Sequence, residues 1–196
     1  YFYVGYNDRI GTLTQTDANN VRYQFRTNIG NSVSRGVESY IEFDPLAAFW
    51  DKKRLGSLSL FASMAYIHAR YADFKTTTVV NGQIIEGTLS GKRVENAPQK
   101  INRYGITYSK KDISITWQLS DIGAAYSDAS NTELPNAAAT TGLIPAYRVQ
   151  DISGSAKLFK HYVLKAGVNN LRNARYFTRR SGGYPGPGLL PGDGRT

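Results

Sequence analysis

The chain has 196 residues, with 24 lysines and arginines against 15 aspartates and glutamates, a formal charge of +9. It has no cysteine, which excludes a disulfide scaffold, a cysteine-based zinc site and a cysteine nucleophile. Fourteen tyrosines, 8 phenylalanines, 19 glycines and a single methionine point away from a helical bundle and towards β structure, and no apolar run approaches the ~20 residues of a membrane-spanning helix.

Alternation with period two predicts seven strands, at 1–9, 26–44, 57–71, 99–109, 112–126, 146–158 and 161–170. The first begins directly in aromatic and β-branched residues, Tyr1-Phe2-Tyr3-Val4, without the basic and apolar regions of a secretory signal. In the second, Val37, Ile41 and Phe43 oppose Glu38, Tyr40 and Glu42. Strand 99–109 alternates Tyr104, Ile106 and Tyr108 with Arg103, Gly105 and Thr107. The next is the clearest case, with Ile113, Ile115, Trp117 and Leu119 against Ser114, Thr116, Gln118 and Ser120. Strand 146–158 sets Asp151, Ser153, Ser155 and Lys157 against Ile152, Gly154, Ala156 and Leu158, and the last sets Tyr162, Leu164, Ala166 and Val168 against Val163, Lys165, Gly167 and Asn169.

The connections alternate in length. Lys110-Lys111 and Lys160 allow only tight turns and 45–56 is a modest link, whereas 10–25, 72–98, 127–145 and 171–196 are long and polar. Short turns on one rim and long loops on the other characterise an outer-membrane barrel, and strands of up to 19 residues far exceed the usual ~5–6. Phe43, Phe49, Trp50, Tyr108, Phe159 and Tyr162 gather at the tight-turn ends; Tyr66, Tyr71, Tyr126, Tyr147 and Tyr176 sit near the opposite ends, so two aromatic girdles are expected. A soluble β-sheet binding module is the competing fold, its aromatics explained by cross-strand pairing.

No Gly-x-Ser-x-Gly elbow, His-Glu-x-x-His pair or phosphate loop is present, so the chain is not read as an enzyme. His68 and His161 fall near opposite ends of their strands, which argues against a shared metal site. A pI near 9.7 raises nucleic-acid binding, but the basic residues are spread over turns, loops and strand faces with no single stripe to follow a phosphate backbone. No nucleic-acid partner is expected.

Asn169-Asn170-Leu171-Arg172-Asn173-Ala174-Arg175-Tyr176, then Gly183-Tyr184-Pro185-Gly186-Pro187-Gly188 and Pro191-Gly192-Asp193-Gly194, resembles the last extracellular loop of TonB-dependent outer-membrane receptors, most closely the ferric dicitrate and siderophore branch. Thr27-Asn28-Ile29-Gly30 followed by Ser34-Arg35-Gly36-Val37-Glu38 looks like another recurring segment of that family. The resemblance implies an all-β, antiparallel transmembrane barrel of 22 strands, of which residues 1–196 would supply about seven. At about 28 residues per strand and link, 22 strands need roughly 600 residues. A plug, a coupling segment and the earlier barrel would precede Tyr1, and a terminal strand would follow Thr196.

By the same resemblance the intact protein sits in the bacterial outer membrane, binds a ferric siderophore or ferric citrate, and is energised by TonB through its N-terminal region. Iron travels as a chelate, so no protein-held cofactor or metal is expected. A passive porin-like barrel, or a receptor for cobalamin or sugar, remains the alternative. Residues 171–196 carry Arg172, Arg175, Arg179, Arg180 and Arg195 against Asp193 alone. Arginine grips carboxylates bidentately and stays charged, so Arg175, Arg179 and Arg180 are candidates to meet an anionic chelate, with Tyr184 stacking beside them. The competing roles are contact with lipopolysaccharide phosphates and loop bracing through carbonyls. If Tyr104, Ile106 and Tyr108 face lipid, Arg103 and Gln118 face the lumen as ligand-binding candidates, and Arg148 points outward at the upper rim, alone, where it would meet lipopolysaccharide.

Overall fold

The computed structural model describes residues 1–16, 22–28, 30–50, 52–80, 83–159, 161–183 and 186–196. Its frame is a seven-stranded antiparallel sheet of β1 (Phe2–Tyr6), β4 (Ser32–Phe43), β5 (Ser57–Tyr71), β8 (Lys100–Lys110), β9 (Ile113–Ile122), β12 (Tyr147–Leu158) and β13 (Tyr162–Val168), in that spatial order. These are the seven expected strands. Each pairs with its sequence neighbour in the sheet, the meander of an up-and-down wall.

Four differences from the sequence reading concern the ends of strands and the connections. The strand expected at 26–44 divides. Arg22–Asn28 is β3, hairpinned with β2 (Ile10–Thr16), and the wall strand starts only at Ser32. Gly30 permits the break, with φ of 96° and a Cβ position that would fall 2.1 Å from the Asp73 carbonyl oxygen. Strand 112–126 stops at Ile122, and β10 (Ala125–Tyr126) pairs instead with β11 (Leu143–Ile144). The long loops are built, with further hairpins β6 (Lys75–Val80) with β7 (Gln83–Thr88) and β14 (Phe177–Ser181) with β15 (Gly188–Pro191). The modest link holds two short helices, α1 (Pro45–Phe49) and α2 (Lys52–Leu55). Asp44 caps the first by accepting from Ala47 N at 2.9 Å, and Pro45 occupies the first turn, where its missing N–H costs nothing.

Register separates the two faces of the wall. Leu60, Ile106, Trp117, Ile152 and Val168 stand opposite one another across β5, β8, β9, β12 and β13, so they share a face. Stepping by two from them gives Val37, Ile41 and Phe43 on β4, and Leu58, Ala62, Met64 and Tyr66 on β5. Val37, Ile41, Ile115 and Leu164 are all exposed, and among the described residues no second layer covers this face. From Leu58 to Tyr66 the apolar column runs nine residues. At a rise of ~3.3 Å and a tilt of ~40° it is roughly 23 Å tall, close to the ~25 Å apolar band of an outer-membrane barrel.

The buried core lies above the wall. Ala69, Tyr71, Phe74, Leu89 and Val94 pack at the upper end of β5, joined by Ile67, Ala97 and Ala129. This placement corrects the upper aromatic girdle. Tyr71 is buried in the loop core, and Tyr147, of the same parity as Asp151, turns inward to stack on Tyr176 with ring centroids 4.6 Å apart. Tyr126 lies under the Arg93 guanidinium, 5.4 Å from its ring centroid. Of the five expected, Tyr66 alone is exposed on the apolar face. The lower girdle stands: Phe43, Phe49, Trp50, Tyr108, Phe159 and Tyr162 are all exposed at the tight-turn end.

Candidate ligand-binding site

The opposite face of the wall is polar. Ser63, Arg103 and Ser120 stand in one cross-strand row, and Gly105, Gln118 and Asp151 in the next. Thr107 and Thr116 share a hydrogen bond of 2.9 Å, and Ser109 donates to Ser114 at 3.0 Å. Small hydroxyls satisfy one another laterally and leave the longer side chains projecting. Arg103 is such a side chain. It is exposed and borders two recesses: one of about 500 Å³ with Glu38 and Tyr40, and one of about 310 Å³ with Tyr147, Asp151, Tyr176 and Asp193. Gln118 is on this face but lines neither recess.

The floor of the smaller recess is organised by Asn170, which is 1% exposed. Its backbone N–H donates to Asp151 Oδ1 at 2.8 Å, and its Nδ2 donates to the carbonyls of Ala174 and Asp193, both at 2.9 Å. Its Oδ1 accepts from Ala174 N at 2.7 Å. One residue therefore ties the end of β13 to β12 through its backbone N–H and to the final segment through its side-chain amide. The backbone at Asn170 has φ of 48°, a left-handed turn that asparagine tolerates better than most residues. Sequence reasoning used this residue only as part of the run that carries the family resemblance and gave it no structural role. The run Asn-Asn-Leu-Arg-Asn after an alternating strand carries the signal, since asparagine side chains form local turns.

The loop arginines divide by what they touch. Arg180 lies over the Phe177 ring at 4.9 Å, and its guanidinium donates to the Leu143 carbonyl at 3.2 and 3.1 Å and to the Ala139 carbonyl at 3.1 Å. Three donations to main chain make it a brace between the last loop and the loop before it. Arg175 and Arg179 are exposed, with no hydrogen bond or ion pair to a described residue. Tyr184 lies outside the described residues. Arg103, Arg175, Arg179 and Gln118 are thus not gathered into one cluster: Arg103 and Gln118 stand on the wall, and Arg175 and Arg179 stand in the loops.

Arg148 is on the apolar face at its upper rim, as parity requires, but it is not alone. Its Nε donates to Asp121 Oδ1 at 3.2 Å, while Lys100 Nζ holds Asp121 Oδ2 at 2.9 Å. Two cations share one carboxylate because register places Arg148 directly across from Asp121. Among the described residues no group of three or more His, Cys, Asp or Glu side chains is arranged to hold a metal.

Several solved structures share this architecture. The ferric citrate transporter FecA in its unliganded form superposes with a TM-score of 0.69 at 20% identity, covering 95% of this chain and 26% of that one. The siderophore receptor PiuA from Acinetobacter baumannii gives 0.62 at 18% identity over 92% of this chain and 22% of its own, and the ferric yersiniabactin uptake receptor FyuA from Yersinia pestis gives 0.61 at 16% over 87% and 23%. At these identities the likeness is one of fold. No curated protein matches the chain. It spans about a quarter of the length of the first of these structures. A family model described as TonB dependent receptor-like, beta-barrel matches residues 1–171. That match, over a wall with one apolar and one polar face, places the chain in the TonB-dependent receptor β-barrel family, whose members are outer-membrane β-barrels and transporters, not enzymes.

Proposed function

We propose that this chain is a wall and loop segment of an active transport receptor for an anionic ferric chelate, a ferric siderophore or ferric citrate, energised by TonB through a region of the intact protein outside these residues. The supporting observation is the pair of exposed guanidiniums at Arg175 and Arg179, which have no partner among the described residues and are carried on a loop held in shape by Arg180 and Asn170. A braced backbone leaves only the two side chains to be ordered when these cations meet carboxylates or catecholate oxygens. Arg103, exposed on the polar face, would meet the same charge further in. Iron arrives already chelated, so the protein needs no ligand set of its own. Outer-membrane lipid, including lipopolysaccharide, is the partner of the apolar face.

The test is Arg175→Ala with Arg179→Ala in the intact receptor, with ferric citrate binding measured by titration. Charge-assisted hydrogen bonds of ~1.5–3 kcal/mol each predict affinity lower by at least roughly tenfold. Unchanged affinity removes both residues from the site.

A further inference from the structure

The apolar face ends at its upper rim in a belt of cations. Above the row of Val37 and Tyr66, the next outward positions are Arg35 on β4 and His68 on β5, which stand opposite each other. Arg70 follows on β5 and bridges to Arg93, whose position across from it puts Arg93 on the same face. Lys100 on β8, Asp121 on β9 and Arg148 on β12 continue the belt. Five bases face one acid, with His68 neutral, over a span of four interstrand steps, roughly 19 Å at ~4.8 Å each.

The two ends of the belt differ. At the β9–β12 end Asp121 offsets part of the charge. At the β4–β5 end Arg35, Arg70 and Arg93 have no acidic partner among the described residues. Arg70 Nε donates to His68 Nε2 at 2.9 Å and its Nη1 to the Gly91 carbonyl. Arg93 Nη2 donates to the Ala124 carbonyl at 3.3 Å. These bonds fix the direction of two guanidiniums and leave further N–H groups on each without a partner among the described residues, while Arg35 is exposed and bonds no described residue. Like charges held this close raise the energy of the fold unless an anion joins them.

We infer that the Arg35, Arg70 and Arg93 cluster binds the phosphate groups of lipopolysaccharide in the outer leaflet. The inference rests on reading this wall as membrane-spanning, which sets the apolar column of Leu58 to Tyr66 in the hydrocarbon and this cluster at headgroup depth. Arginine forks suit phosphate oxygens, and the belt is complementary in sign and height to a phosphorylated headgroup.

The experiment uses the intact receptor in phosphatidylethanolamine vesicles doped with bisphosphorylated lipid A or with the same lipid stripped of phosphate, retention of the doped lipid being read after dilution into phosphatidylethanolamine vesicles that contain none of it. Wild type should retain the phosphorylated lipid and release the stripped one. Arg35→Gln, Arg70→Gln and Arg93→Gln together should weaken retention by roughly a hundredfold, at about fivefold per basic residue near an anionic surface. The corresponding lysine triple variant should retain it, showing that charge and not misfolding is read, and Lys157→Gln with Lys165→Gln on the polar face should leave it unchanged. Equal retention by wild type and the glutamine variant, equal retention of the stripped lipid, or displacement by millimolar inorganic phosphate would each overturn the assignment. A receptor that entered vesicles of neither composition would instead defeat the membrane reading beneath it.

Discussion

The Phe61 ring on β5 lies directly over Gly105 on β8, so that a Cβ added at Gly105 would fall 2.2 Å from the ring. The two residues are register partners on the polar face, and the missing side chain is what lets the aromatic lie flat on the neighbouring strand. Gly105→Ala should therefore displace the ring and lower stability by roughly 1–3 kcal/mol, measured as the unfolding free energy of the receptor in detergent or lipid. Gly154→Ala is the control. Its Cβ would meet nothing nearer than 3.4 Å, so it should stay within about 0.5 kcal/mol of wild type.

Asn170 separates a conformational requirement from a bonding one. Asn170→Gly keeps the left-handed backbone but removes the three side-chain hydrogen bonds, and should cost roughly 2–4 kcal/mol of local stability. Asn170→Ala adds backbone strain at φ of 48° and should cost about 1 kcal/mol more. Hydrogen exchange of 171–196 reads both, and equal protection in the glycine variant and wild type would show that the bonds contribute nothing.

Arg180 and Arg179 should behave oppositely. Arg180→Ala frees the Leu143 and Ala139 carbonyls and should raise proteolytic nicking of the 127–145 and 171–196 loops in the apo receptor. Arg179→Ala should leave the nicking rate unchanged, since the Arg179 side chain bonds no described residue. If both variants were nicked alike, the brace would not reside in Arg180.

Glu95 joins two loops. It accepts from Arg9 Nη2 at 3.1 Å and from the Tyr71 hydroxyl, with the Arg9 guanidinium 5.8 Å from the Tyr71 ring centroid. Glu95→Gln removes the charge that strengthens both bonds and should cost roughly 1 kcal/mol, most of it retained in high salt because Tyr71 is buried. Thermal melts at two ionic strengths check both statements.

The wall was legible because a period of two is a local property. Trp117 and Gln118 take opposite faces wherever the strand sits, so parity placed Arg103, Gln118 and Arg148 on the faces the register gives them. What the loops do was not legible. The hairpins β2–β3 and β6–β7 and the core around Tyr71 and Phe74 depend on contacts between distant segments, and tyrosine looks the same in sequence whether it meets lipid, as Tyr66 does, or a loop core, as Tyr71 does. For the same reason Arg148 read as alone, since Asp121, 27 residues away, becomes its neighbour only through register. Among the loop arginines sequence offers charge but not partners, which is why Arg180 could not be told from Arg179.

The account depends on hydrocarbon contacting the Trp117 face of this sheet. Spin labels placed singly from Ile115 to Ser120 in the intact receptor, reconstituted in lipid, report this directly through collision with oxygen, which concentrates in lipid, and with a water-soluble nickel chelate. Positions 115, 117 and 119 should favour oxygen and 116, 118 and 120 the chelate. Uniform collision rates along the strand, or the opposite alternation, would contradict it.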